Sequence, residues 1–264
     1  KGNFDPKVLE AKGYLILRAQ GYQPKEYVDG KWIKYDLLGA EGLAEDFSTY
    51  YLGFCDLAKY DIDYLPYHSV IVDGFRACES LDLEDQFPEC DRIVPLGDYL
   101  EMKIKADEMF SKLPLPLRLD RLSDMIGSLI PNFKEKLSAI LNVGFLLLDK
   151  DQTYYNIFIG FNNGEFKKLI LTDRAQSFGA LNEVYNEEPN MEKLFVEFLD
   201  EQSPYLQTTN LEQLQTMINS GNISHVELSI TDEDIDNYTN DCYPEEYVDR
   251  MKRIAKYRLS MNLK

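Results

Sequence analysis

The chain has 264 residues and a formal net charge of −18, and its 44% apolar and 12% aromatic content is that of a folded globular protein. This length can bury a full core, as one two-lobed domain or as two small domains. The negative charge argues against direct binding to nucleic acid or to an anionic membrane surface, because no basic patch is evident. No apolar run approaches the length of a membrane span, and the N-terminus has no signal-peptide core, so we expect no membrane association.

The cysteines and histidines exclude further kinds of site. The four cysteines lie far apart without a C-x-x-C pair, so neither a zinc site nor a disulfide framework is indicated, and a reducing cytoplasm is the default location. There are two histidines, His68 and His225, which disfavours a multi-histidine metal site. Any catalysis is therefore expected to rely mainly on carboxylates and lysines.

A short strand near the N-terminus is predicted to carry a lysine on the same face as a tryptophan. Residues 31–35 alternate so that Trp32 and Lys34 share one face. A lysine on the inner face of a strand is costly unless it pairs with an anion, and a nucleotide phosphate with a nearby glutamate would satisfy it. An edge-strand lysine in solvent is the alternative. Residues 5–20 predict a preceding helix or strand, and residues 21–25 a loop that contains Gly and Pro.

A helix is predicted over residues 39–56, because apolar residues recur there at spacings of three and four. Glu41 and Glu45 lie on one flank of this helix. Either could reach Lys34 and form an ion pair that ties strand to helix, as in an active protein kinase.

The remaining pattern predicts a small β-rich N-lobe followed by a mainly helical C-lobe. Two more strands are expected at 67–73 and 77–81, and the acidic, proline-containing connection at 84–89 is the predicted boundary between an N-lobe of residues 1–88 and a C-lobe of residues 89–264. An acidic run at residues 231–236 is interpreted as a solvated linker or a helix start. The helices predicted after the boundary span residues 97–110, 118–128, 133–148, 191–199, 211–220 and 244–263.

Two acids and an amide are predicted to converge beside a β-hairpin. Apolar strands flank the pair Asn163-Gly164, which is a strong hairpin signal. Asn156 opens the first strand and Asp173 closes the second, so antiparallel pairing brings both to one end, with Asp151 in the loop just before it. Such an arrangement can hold Mg²⁺ between oxygen ligands and orient a hydroxyl for phosphoryl transfer. The alternative is that Asp and Asn are common at strand ends, where the D-x4-N spacing also occurs by chance.

Taken in order, these motifs resemble those of the HipA-like serine/threonine kinases, a group of bacterial toxin kinases that also includes the CtkA-type secreted kinases. The loop at 21–25 followed by Lys34 resembles the family's G-x-Q-x-K loop and its nucleotide-binding lysine strand. Residues 151–156 resemble the D-R-H-x-x-N catalytic segment. Asp173 with Ser177 resembles the following F-D-x-x-x-S metal motif.

The resemblance implies an α+β, two-lobed, protein-kinase-like fold with ATP and Mg²⁺ as cofactors. By position, Asp151 would be the catalytic base that accepts the proton of the substrate hydroxyl, and Asn156 and Asp173 would bind Mg²⁺. Lys34, oriented by Glu45, would hold the α- and β-phosphates. The loop that would cover the phosphates through its backbone N–H groups contributes Gly21, Gln23 and Lys25.

The sequence departs from the family pattern at several positions. Gln152 and Thr153 replace the Arg and His after the catalytic Asp, Thr172 replaces the Phe before the metal Asp, and Arg174-Ala175 replaces the small residues after it. Because the three proposed catalytic residues are intact, an active kinase is favoured over a pseudokinase. An acidic interaction protein with a basic partner and a small-molecule kinase stay open.

The resemblance also carries expectations about location and partners. It implies a bacterial protein that is cytoplasmic or secreted as an effector. It implies a protein substrate, which the sequence does not identify, and an antitoxin-type partner.

Overall fold

The computed structural model describes residues 23–37, 39–149, 151–179, 216–217 and 219–260. The element predicted at the N-terminus, Gly21, the helix predicted at 191–199 and most of the helix predicted at 211–220 lie outside the described residues.

The first sheet has four antiparallel strands and is built from two hairpins. The elements of this part are β1 (Lys25–Val28), β2 (Lys31–Tyr35), α1 (Glu41–Leu52), β3 (Ile62–Tyr64), β4 (His68–Val72), β5 (Phe75–Leu81) and α2 (Leu83–Gln86). The strand order is β1-β2-β5-β4. Both hairpins turn at an Asp-Gly pair, at positions 29–30 and 73–74, with all four residues at positive φ. Asp and Gly tolerate this conformation, which the two-residue hairpin turn requires. Lys34 therefore lies on a strand paired on both sides.

The second sheet combines the predicted hairpin with two strands that sequence reasoning missed. Its part of the chain contributes β6 (Arg92–Pro95), α3 (Gly97–Ala106), α4 (Leu115–Ile126), α5 (Phe133–Leu147), β7 (Ile157–Asn162) and β8 (Glu165–Leu171). The strand order is β3-β8-β7-β6, with β3 parallel to β8 and the other pairs antiparallel. The β7–β8 hairpin turns at Asn163-Gly164, as predicted. Residue 88 stays a predicted lobe boundary, although β3 precedes it in the chain and pairs with β8.

Helix α5 forms the centre of the main core and delivers the loop that follows it. Nearly all of its residues are buried. The helix ends where Leu148 adopts a left-handed conformation, with φ of 51°. This turn leads directly to Asp149 and Asp151. The predicted apolar helix that runs into the candidate catalytic loop is thus confirmed.

Two C-terminal helices pack against the rest of the chain. They are α6 (Asp232–Asn237) and α7 (Glu245–Ser260). The acidic run at 231–236 is a helix start, because Thr231 and Asp234 form a reciprocal capping box. Helix α7 buries one face through residues such as Met251 and Ile254. None of the helices that the structure describes combines the length and apolar character needed to cross a bilayer.

Candidate active site

A cavity of about 490 Å³ is lined by residues from both sheets. This volume is typical of pockets that hold small molecules. The lining residues that the sequence predicted for the site are Gln23, Lys25, Lys34, Asp151, Asn156 and Asp173. The cavity thus brings together six predicted residues that lie up to 150 positions apart in the chain.

Lys34 is the most strongly paired side chain in this cavity. Its Nζ lies 2.7 Å from Oε1 of Glu45 and 3.0 Å from Oδ1 of Asp173, and it sits over the ring of Tyr67. Burial lowers the pKa of Lys34, but the carboxylates of Asp173 and Glu45 outweigh it and hold the pKa well above its usual value. The solvent-exposed alternative for Lys34 is therefore wrong, and the ammonium group stays charged.

Glu45 connects the lysine strand to the segment after Asp173. One carboxylate oxygen pairs with Lys34, and the other accepts the backbone N–H of Arg174 at 2.9 Å. Burial raises the pKa of Glu45, against the opposing effect of Lys34. Glu41, the other candidate partner for the lysine, instead accepts the backbone N–H groups of Leu37 and Gly39 at 3.2 and 2.8 Å. Its carboxylate therefore holds the turn that precedes α1.

The loop after α5 holds Asp151 and Asn156 together. The amide Nδ2 of Asn156 donates to the backbone carbonyl of Asp151 at 2.7 Å and approaches its carboxylate at 3.4 Å. The backbone N–H of Asp151 donates to Asp149 at 3.0 Å. Burial raises the pKa of Asp151 to about 6, with a further contribution from the charge of Asp173. Burial likewise raises the pKa of Asp149 to about 7.

Asp149 is a residue of the site that sequence reasoning missed. It is only 6% exposed and supports the loop of Asp151 by accepting its backbone N–H. The available signal was its place directly after an apolar helix, two residues before Asp151. That signal is weak, because an acid at a helix end is ordinarily exposed.

Asp173 follows β8 and turns back into the cavity. It has a left-handed backbone, with φ of 53°, which is uncommon for a residue other than glycine. Burial opposes ionisation of its carboxyl, but Lys34 and then Lys25 lower the pKa below its ordinary value. Asp173 is therefore an anion that faces the same space as Asp151 and Asn156.

The oxygen donors of this corner fit Mg²⁺. Among the described residues, no group of three or more His, Cys, Asp and Glu side chains forms a ready-made metal cluster. Magnesium does not need one, because it commonly binds one or two carboxylates and completes its shell with water and substrate phosphates. Asp173 and the amide oxygen of Asn156 are ligands of this kind.

Gln23, which precedes β1, is anchored to β2, the strand of Lys34. Gln23 is buried and donates to the backbone carbonyl of Tyr35 at 3.2 Å. Lys25 is the cross-strand partner of Lys34 and also lines the cavity. Burial and the charge of Lys34 lower the pKa of Lys25. Two lysines thus face the cavity from adjacent strands.

The part of the cavity near Trp32 is also lined by Leu81 and Leu83 and was only partly predicted. Trp32 lines it, as its position on the face of Lys34 implies, and its Nε1 donates to Asp82 at 3.1 Å. Asp82 also caps the first turn of α2, a role that its position before Leu83 made predictable. Its contact with Trp32 depends on the pairing of β2 with β5 and had no local signal.

The family departure at Gln152 has a structural explanation. Its side chain is buried, and Nε2 donates to the backbone carbonyl of Ile140 in α5 at 2.7 Å. Gly144 makes room for it, because a Cβ there would lie 2.5 Å from the Gln152 amide oxygen. Gln152 is outside the cavity lining and ties the loop of Asp151 and Asn156 to α5.

The second departure, Arg174, is also structural. Its guanidinium is buried and donates to the backbone carbonyls of Leu171 and Leu65 at 3.0 and 2.7 Å. It lies within 6 Å of the rings of Tyr64 and Tyr67. Arg174 therefore fixes the end of β8 against the segment after β3.

Comparison with known proteins places this fold. No protein-family model matches the sequence, and no curated protein matches it either. Among solved structures, the chain is similar to the crystal structure of CtkA, a proinflammatory kinase from Helicobacter pylori, with a TM-score of 0.61 and 11% identity, covering 99% of this chain and 93% of that chain. The chain has a CtkA-like fold. The expected α+β, kinase-like fold is thus confirmed, and at this identity the likeness concerns the fold alone.

Two further structures are similar at lower scores. The HipA toxin–antitoxin complex of Shewanella oneidensis MR-1, with HipB and operator DNA, has a TM-score of 0.44 and 11% identity, covering 93% of this chain and 64% of that chain. Choline kinase LicA of Streptococcus pneumoniae has a TM-score of 0.30 and 14% identity, covering 96% of this chain and 98% of that chain. We draw no conclusion from either, because both scores are below 0.5.

Proposed function

We propose that this chain is a kinase that transfers the γ-phosphate of ATP, with Mg²⁺, to serine or threonine of a protein. The observation that carries the proposal is the double ion pair of Lys34 with Glu45 and Asp173, in a cavity that Asp151 and Asn156 also line. Phosphoryl transfer depends mostly on positioning and charge stabilisation, and this arrangement supplies both.

Each residue has a role in the proposed reaction. Lys34, held by Glu45, binds the α- and β-phosphates, and the loop from Gly21 to Lys25 covers them. Asp173 and Asn156 hold Mg²⁺, which neutralises charge on the phosphates when bound. Asp151 accepts the proton of the acceptor hydroxyl.

A pseudokinase is the alternative that the departures from the family pattern raise. Gln152 supports it least, because this side chain points to α5 and lies outside the cavity lining. Thr153 lines the cavity but leaves Asp151 and Asn156 in mutual contact. We therefore favour an active enzyme. An acidic interaction module without catalysis would retain the −18 charge but would have no use for the buried Lys34 arrangement.

The proposal extends to partners and location on the sequence resemblance alone. It includes an unidentified protein substrate and an antitoxin-type partner. It places the chain in the bacterial cytoplasm or, as a secreted effector, outside the cell. It includes no direct binding to nucleic acid and no membrane partner, because the net charge of −18 disfavours both.

The sole tryptophan provides a direct test of nucleotide binding. Trp32 lines the cavity, so its fluorescence is expected to change when ATP enters. Titration of the wild type with ATP, with and without Mg²⁺, should show tighter binding with the metal. In Asp173→Asn most of this metal dependence should disappear. In Asp151→Asn binding should persist, whereas phosphate transfer to a general protein substrate should fall by at least about a hundredfold.

The control replaces a carboxylate outside the cavity. Asp63 pairs with Lys168 at 2.8 Å and is not among the lining residues, so Asp63→Asn should bind and transfer like the wild type. Metal-dependent binding without any transfer in the wild type would favour the pseudokinase. Absence of ATP binding would refute both versions of a nucleotide site.

A further inference from the structure

The helix that carries Glu45 is contacted by a distant part of the chain. Residues 231–243, which we call the C-terminal clasp, include α6 and the loop before α7. In α1, Gly42, Asp46 and Tyr50 recur every four residues and therefore form one stripe, next to Glu45. The Tyr243 hydroxyl of the clasp lies next to Gly42, and both Asp46 and Tyr50 form hydrogen bonds with clasp residues.

Tyr238 of the clasp binds the residue that follows Glu45. Its hydroxyl donates to Oδ1 of Asp46 at 2.7 Å, and the other carboxylate oxygen accepts the backbone N–H of Ser69 at 2.6 Å. Asn240 completes the network by donating to the Tyr238 hydroxyl and to Ser69 Oγ. The ring of Tyr238 also packs edge-on against Phe47, with 4.8 Å between ring centroids.

Tyr243 of the clasp binds the strand end that follows Lys34. Its hydroxyl donates to Oδ2 of Asp36 at 2.7 Å, and Oδ1 of the same carboxylate accepts the backbone N–H of Gly42 at 2.7 Å. Gly42 has no room for a side chain, because a Cβ would lie 2.5 Å from the Tyr243 hydroxyl. Asp36, Tyr243 and the first turn of α1 are therefore closely fitted.

The two tyrosine contacts lie next to Glu45 and Lys34, the two residues of the ion pair. Tyr238 binds Asp46, one residue after Glu45, and Tyr243 binds Asp36, two residues after Lys34. Tyr238 ties the clasp to α1 and Tyr243 ties it to the end of β2, so a shift of α1 relative to β2 would have to break at least one of these contacts. With the clasp in this position, Nζ of Lys34 lies 2.7 Å from Oε1 of Glu45.

We propose that the C-terminal clasp sets the position of α1 relative to β2 and thereby holds Glu45 on Lys34, which makes Tyr238 and Tyr243 positioning residues for phosphoryl transfer. This inference rests on the proposed function, because it assigns the ion pair to phosphate binding. The clasp acts on the phosphate side of the nucleotide only. It leaves the Trp32 end of the cavity unaffected.

The test compares ATP with adenosine, which lacks the phosphates. With Trp32 fluorescence as the readout, Tyr238→Phe and Tyr243→Phe should each weaken Mg·ATP binding about fivefold, the effect of one typical hydrogen bond. Adenosine binding should stay unchanged. Glu45→Gln should give the same pattern, and Tyr238→Phe added to Glu45→Gln should have little further effect, because both act on the same ion pair.

Tyr60→Phe is the matched control. Tyr60 is as buried as Tyr238, and its hydroxyl donates to the carbonyl of His225 at 2.9 Å, in the C-terminal part of the chain but outside the clasp. The Tyr60→Phe variant should lose about as much thermal stability as the clasp variants, but it should bind Mg·ATP and adenosine like the wild type. If the clasp variants match Tyr60→Phe, or weaken adenosine as much as ATP, the inference is overturned. If the wild type itself does not prefer Mg·ATP to adenosine, the proposed function fails before any variant is compared, and the inference fails with it.

Discussion

Asp149 and Asp151 are two buried carboxyls in one loop, and their surroundings give them different tasks. Asp151 lines the cavity beside Asn156 and has a pKa of about 6, raised first by burial and then by the charge of Asp173. Asp149 lies behind it and accepts its backbone N–H, with a pKa that burial raises to about 7. One carboxyl faces the cavity, and the other supports the loop.

The pKa of Asp151 predicts the pH dependence of transfer. Only the ionised carboxylate can accept the proton of a hydroxyl, so kcat/KM for phosphate transfer should rise with pH and level off above about 6. Initial rates between pH 5 and 8 at low Mg·ATP would measure this, because kcat/KM reports the free enzyme. A rate that is constant over this range would assign the proton transfer to another group.

Asp149→Asn should remove a loss of stability that the wild type undergoes between about pH 4 and 7. The folded-state pKa of about 7 exceeds the ordinary value of 3.8, so the folded chain holds this proton more tightly than the unfolded chain, and stability falls as pH rises from the lower value to the higher one and then levels off. Asparagine does not ionise and can still accept the N–H of Asp151. The free energy of unfolding of the variant minus that of the wild type should therefore be roughly 2–3 kcal/mol larger at pH 8 than at pH 5. Urea unfolding of both proteins at pH 5 and pH 8 would measure this change. The same difference between variant and wild type at both pH values would contradict a raised pKa of Asp149.

The sequence identified site residues where the signal was local and left open those that depend on packing. Asp151, Asn156 and Asp173 follow from one hairpin and its flanking loop. Helix spacing alone did not decide between Glu41 and Glu45, because residues four apart lie on the same helix face, whereas the family resemblance implied Glu45. The packing of α1 places Glu45 on Lys34.

At the scale of elements, the loop that carries Asp151 and Asn156 is attached to α5 through the side chain of Gln152. Gly-to-Ala changes inside a helix ordinarily stabilise by about 0.5–1 kcal/mol. At Gly144 the added Cβ would lie 2.5 Å from the Gln152 amide, so we expect Gly144→Ala to destabilise instead, by about 1–3 kcal/mol. Urea unfolding would measure the change.

The matched control for this prediction is the pair Gly144→Ala with Gln152→Ala. Removing the amide should restore space for the new methyl group, so the double variant should be more stable than the sum of the two single variants implies. Additive effects would mean that the Gln152 side chain can move aside for a methyl group at position 144.

Strands with a local turn signal were predicted from the sequence, whereas strands that depend on pairing with distant residues were missed. The β7–β8 hairpin has its own turn signal and was predicted. Strand β3 has three residues and β6 ends in a proline, so neither carries a clear pattern. Both are defined by pairing with the hairpin, from distant parts of the chain.

For the whole molecule, the net charge of −18 opposes compactness through repulsion between like charges. Several described ion pairs, such as Lys105 with Glu101 and Lys134 with Asp120, are largely exposed and contribute little. Added salt screens the long-range repulsion. The unfolding temperature should therefore rise by a few degrees between 10 mM and about 300 mM NaCl, since about 1 kcal/mol corresponds to roughly 2–4 °C for a chain near this size. Calorimetry would detect it, and a fall in the unfolding temperature would show that attractive pairs dominate instead.

The parallel pairing of β3 with β8 has a consequence for how the protein is made. The first sheet can be completed as soon as β5 has left the ribosome, but Ile62 waits for Leu169, and Leu65 waits for the carbonyl of Leu171. Until then the backbone of β3 has no partner there and is exposed to other chains. Leu65 and Tyr67 line the same cavity as Asp173. A growing chain therefore has no finished cavity before the segment through Gln176 has emerged, although the wall that the first sheet forms can already be in place.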